Sequence, residues 1–256
     1  MPLSFFLLLR ISSVSKSLLV IGGSSEIAHS FIKMAALKDY SITITCRNEE
    51  TLSNTCSNFY KETGRIINGA VLDLTDLEKV STFFDDRDIP DVLFIAAGTL
   101  GDVKVCQYEL KNQLEIINVN YTAVAALLAS VTDKYKAKGD GHIVVISSVA
   151  GDRGYYSNYV YCSAKAAVST YLSGLRAMLY PHGVNVLDIK CGLVETKLNA
   201  HRKKPKLITA SPDYVGMQIF ASMQKRHTVV YTPLIWYFIM GFVKMIPECI
   251  FKRIKL

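Results

Sequence analysis

The chain has 256 residues, half of them hydrophobic, and a formal net charge of +7. That is enough apolar material for one α/β domain with a full core. The basic residues are spread along the chain apart from two clusters, and no basic-aromatic module pattern appears, so a nucleic-acid partner is not expected. The six cysteines (Cys46, Cys56, Cys106, Cys162, Cys191 and Cys249) show no C-x-x-C and no zinc-ligand spacing. No metal site is expected from them, and reduced, mostly buried thiols suit a cytoplasmic protein.

Met1 to Leu9 is apolar, but Arg10 and Lys16 follow that run instead of preceding it, and no small-residue cleavage site comes next. A secretion signal has the opposite order. A membrane-touching tip and an upstream start codon are the two readings of the extension over residues 1–16. Ser17 to Ile21 then reads as a short apolar strand, Gly22-Gly23-Ser24-Ser25 as a turn, and Glu26 to Leu37 as a helix. Strand, glycine turn and helix in that order offer free N–H groups to a dinucleotide pyrophosphate, although such a turn also serves purely structural ends. Ile42 to Cys46 is a second strand, with Arg47 at its end. A carboxylate there would bind the ribose hydroxyls of NAD, whereas a guanidinium suits the extra phosphate of NADP. A solvated strand-end cation is the other reading of Arg47.

Asn48 to Thr63 reads as a helix, Ile66 to Leu72 as a third strand ending at Asp73, and Lys79 to Phe84 as part of a short helix. Asp91 to Ile95 is a fourth strand closed by Ala96-Ala97-Gly98, small residues that let backbone approach a flat ligand. Leu114 to Lys136 is a long helical run carrying Asn118 and Asn120. A buried Asn needs partners, so Asn120 is either a satisfied structural residue or part of a polar relay.

His142 to Ile146 reads as a strand buried on both faces, and Ser147-Ser148 stands at its carboxyl end, where open α/β sheets hold their ligands. Tyr161 and Lys165, four apart, share one face of the helix that runs on to Leu179. A close cation favours an ionised phenol, which brings proton transfer toward neutral pH, and the Ser148 hydroxyl is placed to polarise a carbonyl. Alone, Tyr-x-x-x-Lys is usually a solvated helix face; the Ser-Ser strand end just upstream sharpens it. Val184 to Ile189 is a sixth strand, ending in Lys190-Cys191-Gly192. Strand and helix alternating this often predict a doubly wound parallel sheet.

Residues 193–211 break the rhythm and hold the first basic cluster, His201-Arg202-Lys203-Lys204-Pro205-Lys206. Ser211-Pro212-Asp213 reads as a helix cap, and Val229 to Tyr231 as a strand. The remainder, 233–256, has an apolar run from Leu234 to Val243 with Trp236, Tyr237 and Phe238 together, and closes on Phe251-Lys252-Arg253-Ile254-Lys255-Leu256. The run is too short to span a bilayer, which takes ~20 residues. Aromatics beside Lys and Arg suit a helix lying in a membrane interface, and packing on a partner subunit is the other reading.

With those residues assembled, the chain resembles the short-chain dehydrogenase/reductase family over nearly all its length. The Tyr161/Lys165 pair, Ser148 thirteen residues before the Tyr, Asn120, the Ala96-Ala97-Gly98 turn and Asp73 stand where that family carries its motifs. Within it, the chain is most similar to the decaprenylphosphoryl-2-keto-pentose reductase group of cell-envelope synthesis. That likeness rests on Gly22-Gly23-Ser24-Ser25-Glu26-Ile27-Ala28, on Ser157-Asn158-Tyr159-Val160-Tyr161, and on Ile246-Pro247-Glu248-Cys249-Ile250-Phe251-Lys252-Arg253. Glu26 and Ala28 replace the second and third glycines of the family's turn, Cys191 replaces the Pro before Gly192, and Ala96 stands where many members have Asn. A Glu26 carboxylate repels a pyrophosphate unless it turns outward as a helix N-terminal acid.

The resemblance implies a single Rossmann domain over 17–232, a doubly wound parallel sheet flanked by helices. Within it, 193–210 would cover the substrate, and 233–256 would follow as a C-terminal amphipathic tail. It implies NADP(H), with NAD(H) the alternative, lined by Gly22, Ser24, Ser25, Ile27, Arg47, Asp73, Leu74, Ala96, Ala97, Gly98, Gly192, Val194 and Thr196. Tyr161 would donate the proton, Lys165 would hold the ribose and lower the Tyr pKa, and Ser148 would bind the carbonyl oxygen. Asn120 would anchor a water to Lys165. The substrate, a keto-sugar or lipid-linked keto-sugar, would touch Ser148, Tyr155, Tyr161, Lys203 and Lys204. A homodimer or homotetramer in the cytoplasm, at the inner face of the membrane, is the implied setting. A soluble carbonyl or 3-oxoacyl reductase is the alternative enzyme, and a catalytically silent nucleotide-binding subunit the alternative class; intact Ser148, Tyr161 and Lys165 argue against silence.

Overall fold

Val92-Leu93-Phe94-Ile95 has no polar face because it has no wet one. In the computed structural model, which describes residues 15–199 and 205–254, this strand (β4, Val92–Ile95) lies at the centre of a sheet with both faces covered. Val92 and Phe94 enter one core layer, and Leu93 and Ile95 enter the other. The sheet has seven strands, all parallel, in the order β3 (Asn68–Val71), β2 (Ser41–Cys46), β1 (Ser17–Ile21), β4, β5 (Gly141–Ile146), β6 (Val184–Cys191) and β9 (Val229–Thr232). A short parallel pair, β7 (Leu193–Val194) and β8 (Thr209–Ala210), stands apart from it.

On one face lie α1 (Glu26–Ala36), α2 (Glu49–Thr63) and α8 (Pro212–Gln224). Phe31 of α1 is the aromatic hinge of that layer, with ring centroids 4.4 Å from Phe94 and 5.4 Å from Phe220. Truncating such a residue to Ala costs about 3–5 kcal/mol. The other face carries α3 (Leu77–Thr82), α6 (Ala123–Lys138) and α7 (Tyr159–Leu179), packed through Val80, Leu127, Val131, Val168 and Leu172. The helices start on side-chain caps: the Asn48 Oδ1 accepts from Thr51 N at 2.9 Å, and the Ser211 Oγ accepts from Tyr214 N at 3.2 Å with Pro212 behind it. The doubly wound parallel sheet is therefore as the alternation predicts.

Several boundaries move. The third strand is only Asn68–Val71, and the short helix is Leu77–Thr82. The helix expected from Leu114 begins earlier, as α5 (Leu110–Ile117) after the small α4 (Val103–Cys106), and it is interrupted by a π segment, Asn118–Thr122, before α6. By length and composition 110–138 is apolar enough to cross a membrane, yet Ile116, Leu127, Leu128, Val131 and Tyr135 are spent on the core. Residues 1–14, the basic cluster at Arg202, Lys203 and Lys204, and the last two residues lie outside the described residues.

The tail is a packed part of this domain. It forms α9 (Ile235–Met245) and α10 (Glu248–Phe251), with Met240 and Phe251 buried. The Trp236 indole Nε1 donates to Ile208 O at 2.9 Å, and the ring sits so close over Gly192 that a Cβ there would lie 2.1 Å from it. Two residues just beyond Ser148 hold the rest. Asp152 pairs with Lys190 and accepts from the Tyr231 hydroxyl at 2.6 Å. The Arg153 guanidinium donates to the carbonyls of Val243 (2.7 Å) and Ile246 (2.6 Å), meets Glu248 at 2.9 Å and lies 3.7 Å over the Phe251 ring. A cation on the last carbonyls of a helix satisfies orphan acceptors and the dipole together. Arg153→Ala should cost about 2 kcal/mol, the scale of hydrogen bonds to a charged donor, and should release α9 and α10 before the sheet. Amide hydrogen exchange measures this; unchanged protection in α9 would show that Arg153 does not hold the tail.

Candidate active site

The chain leaves β1 toward β2 and β3, then returns across β1 to β4 and continues the other way. At such a reversal the loops diverge and leave a crevice beyond the carboxyl ends of the strands. A cavity of about 560 Å³ occupies it. Its walls are Gly22, Ser24, Ser25, Glu26 and Ile27 after β1, Arg47 after β2, and Asp73 and Leu74 after β3. Ala96, Ala97 and Gly98 follow after β4, then Asn120, Ser148, Tyr161 and Lys165, and finally Cys191, Gly192, Val194 and Thr196 after β6. Every cofactor-lining residue expected from the sequence faces this one space. Tyr155 does not line it, although its phenol acts electrostatically on Tyr161. Lys203 and Lys204 lie outside the described residues.

At one end, two turns meet backbone to backbone. Gly22 has φ of +84°, and a Cβ on it would fall 2.8 Å from Ala97, so only glycine serves at this point. Ser25 caps α1 by accepting from Ala28 N at 3.4 Å. Glu26 does not project its charge freely: its Oε2 accepts from Lys197 N at 2.7 Å, tying the start of α1 to the segment after β7. Arg47 is exposed at the rim, and the lining at that strand end contains no carboxylate. Asp73 turns its Oδ1 to the Thr75 N (2.9 Å) and hydroxyl (2.8 Å), which fixes the turn after β3.

The other end holds the ionisable groups. The α7 helix begins at Tyr159, so Tyr161 and Lys165 sit on its first turns, aimed at the end of β5. Lys165 is only 4% exposed and donates from Nζ to Ile146 O at 3.1 Å. Burial pushes it down to about 8, opposed by the field of Cys191 and Asp188. Burial also pushes the Tyr161 phenol up, while a hydrogen bond with Ser148 pulls the other way. The Lys165 Nζ stands 5.7 Å from the Tyr161 ring centroid, and the causes that move the phenol are its burial, Ser148 and neighbouring phenol and thiol groups. The phenol therefore rests protonated. The Ser148 Oγ lies beside it, donating to Cys191 O at 3.3 Å and accepting from Ala150 N at 3.1 Å.

Asn120 is fully buried in the π segment, where the ladder shifts so that Ala123 N bonds to Asn118 O. Its Nδ2 donates to Thr99 O (2.8 Å) and Ile116 O (2.9 Å), and its Oδ1 accepts from Thr99 N at 3.3 Å. It is thus a satisfied residue that pins the turn after β4. It also borders Lys165: a Cβ on Gly98 would lie 2.9 Å from Asn120 Oδ1 and 3.5 Å from Lys165 Nζ. A protonated phenol, a hydroxyl next to it and a buried cation behind form a device for binding a carbonyl oxygen and handing it a proton.

Three participants escaped sequence reasoning. Ser147 was noted only as a strand end, yet its Oγ donates to Asp188, a buried carboxylate. The signal for Asp188 was present in Val184-Asn185-Val186-Leu187-Asp188-Ile189, where a charge interrupts an apolar strand and demands a partner. Lys197 contributes through its backbone, which no pattern of side chains announces.

Residues 16–207 match the family model for short chain dehydrogenases. An uncharacterized oxidoreductase of Mycobacterium tuberculosis is 25% identical over 240 residues, spanning 91% of this chain and 95% of its own length. An NADP-dependent 3-hydroxy acid dehydrogenase of Schizosaccharomyces pombe is 25% identical over 232 residues, spanning 84% of this chain and 89% of its own. A short chain dehydrogenase from Burkholderia cenocepacia, solved in complex with NADP, superposes with a TM-score of 0.78 at 17% identity, covering 93% of this chain and 97% of that one. With the family model spanning most of its length and the parallel sheet reproduced, this chain belongs to the short-chain dehydrogenase family of oxidoreductases.

Proposed function

We propose that this chain is an NADPH-dependent carbonyl reductase that acts on a keto-sugar carried by a lipid phosphate. The observation carrying the first half is that Ser148, Tyr161 and Lys165 share one cavity with Gly22 and Arg47 across the sheet's reversal point. A dinucleotide fits those residues. The close approach of Gly22 to Ala97 leaves no side chain between the turns, the first residues of α1 line the crevice, and Arg47 offers a cation at a strand end that has no carboxylate of its own. The NADP named with the Burkholderia structure and the Schizosaccharomyces relative supports the same choice.

Gly22, Ser24, Ser25, Ile27, Arg47, Asp73, Leu74, Ala96, Ala97, Gly98, Gly192, Val194 and Thr196 would hold the cofactor, together with Tyr161 and Lys165. Bound there, the nicotinamide supplies the hydride that reduces the keto carbon. The chain's own groups manage the oxygen. Ser148 orients it, Tyr161 gives up its proton to it, and Lys165 holds positive charge behind the forming phenolate. A water between Asn120 and Lys165 would return the proton.

The lipid half rests on α9. Leu234, Phe238, Phe242 and Met245 are 63%, 63%, 70% and 80% exposed, on the side opposite the docked Trp236 and Met240. Exposed Lys252 and Arg253 follow. An apolar stripe with cations at its end is the pattern of a helix lying at an anionic membrane surface. Arg202, Lys203, Lys204 and Lys206 of the covering segment would meet a substrate phosphate. Self-association as a homodimer or homotetramer is part of the reading, supported by the open groove between α6 and α7 that Tyr121, Tyr171 and Met178 line. One observation favours a second substrate class: the Schizosaccharomyces relative acts on 3-hydroxy acids by its name. Turnover with free and phosphate-linked keto-sugars and with 3-oxo acids, using either cofactor, separates the two. No cofactor oxidation with any of them would leave the silent-subunit reading.

Tyr161→Phe keeps the shape but removes the acid, so turnover should fall ~10²–10⁴-fold while cofactor affinity stays near the unaltered value. A near-normal rate in steady-state assays would remove Tyr161 from its role. The unaltered protein should prefer NADPH, and Arg47→Ala should lose most of that preference; equal efficiency with NADH before any change would sink the assignment. Full-length protein should sediment with anionic liposomes, and a Phe238→Ser, Phe242→Ser double change, on exposed positions, should abolish this. Protein left in the supernatant from the start would end the membrane half.

A further inference from the structure

Asp188 lies in the middle of β6, 2% exposed, among Val184, Val186, Leu187 and Ile189. Strand alternation places Val184, Val186 and Asp188 on the face that α7 covers. A buried carboxylate is retained only where it is hydrogen-bonded or paired. Its hydrogen-bond donor is Ser147 Oγ, which also lies 3.2 Å from Ile189 O. The residue before Ser147, Ile146, gives its carbonyl to Lys165 Nζ at 3.1 Å. In the strand register Val145 faces Asp188 and Ile146 faces Ile189. The carboxylate and the ammonium, both buried, are thus held by adjacent residues at the end of one strand.

We propose that Asp188, oriented by Ser147, is a positioning residue: it is the buried counter-charge that keeps Lys165 protonated for the proton-transfer step. It acts through Lys165 and does not reach the substrate. The charges around it are few. From α7, Arg176 also feels Asp188, and its Nε and Nη2 donate to the carbonyls of Val186 and Thr228, each at 3.0 Å, which hold the guanidinium in place and leave its charge intact. From β9, the Tyr231 phenol feels Asp188 but donates its hydrogen bond to Asp152. On β6 itself, Lys190 is paired with Asp152, and burial pushes the Cys191 thiol up to about 12, so it is neutral. Around Lys165 the remaining groups are Tyr161 and Asn120, both uncharged. Asp188 is then the one anion near the ammonium among the described residues.

The sign is definite. Lys165 carries its charge below about 8 and loses it above. Removing a nearby anion disfavours the charged form, so the loss should begin at lower pH. Asp188→Asn keeps the size and an acceptor for Ser147 while deleting the charge. Ser147→Ala leaves the charge and removes its fixed orientation, and it serves if the Asn variant folds poorly. Two readouts apply: titration of the Lys165 side chain by NMR in lysine-labelled protein, assigned by its absence in Lys165→Met, and the pH profile of kcat/KM.

The expected result is a Lys165 midpoint lower by about one pH unit or more in Asp188→Asn, and lower by less in Ser147→Ala. The alkaline limb of the rate profile should move with it. A midpoint unchanged in both variants, or a rate reduced equally at every pH with the limb fixed, would overturn the proposal. The inference rests on the reductase reading, and the two fail separately. An unaltered protein without turnover on any keto substrate refutes the reading, whereas the NMR titration judges Asp188 without turnover.

Discussion

An ammonium taken out of water must be repaid by its surroundings, and Lys165 is taken out almost entirely. The carboxyl edge of the sheet is arranged around that demand. The carbonyl of Ile146 stays free to receive Nζ because β5 ends there. The turn after β4 comes within reach because Gly98 has no side chain and Asn120 grips Thr99 from a helix whose ladder has slipped by one residue. The strand beyond supplies a carboxylate where its neighbours are apolar. Each of these features is an oddity in its own element, and together they answer a single electrostatic problem.

Much of the fold was readable because its central strands are wet on neither face. Runs such as Leu18 to Ile21 and Val92 to Ile95 can only be interior, and short glycine or serine turns after them mark the carboxyl edge. Ser148, Tyr161 and Lys165 were readable for the same reason, since the spacing of polar groups along a known edge fixes their neighbours. What could not be read was contact between distant segments. Gly192 reads in the sequence as a strand end, and the structure adds an indole, forty-four positions later, that leaves no room for a Cβ there. Asp152 and Arg153 carry no pattern of their own in the sequence, yet they clasp β9, α9 and α10. The fate of Glu26 depended on a backbone N–H at Lys197, which side-chain patterns do not encode.

The tail shows how one apolar helix divides its surface. Trp236 and Met240 face the domain, while Leu234, Phe238 and Phe242, offset by about half a turn, face outward. Hydropathy alone weighs the two faces equally, which is why the sequence left packing and membrane contact open. The structure shows that the inner face is satisfied, and that the outward face remains an apolar patch.

The clasp at Asp152 and Arg153 has an evolutionary side. These residues come only a few positions after Ser148, so the segment that borders the candidate site also holds the end of α9. A tail of this kind cannot be swapped between relatives like a detachable label. Recombination that brings in a foreign C-terminus must bring the matching arginine with it, and a domain that inherits the arginine alone carries an unpartnered guanidinium close to Ser148. The segment after β5 and the tail are therefore bound to change together.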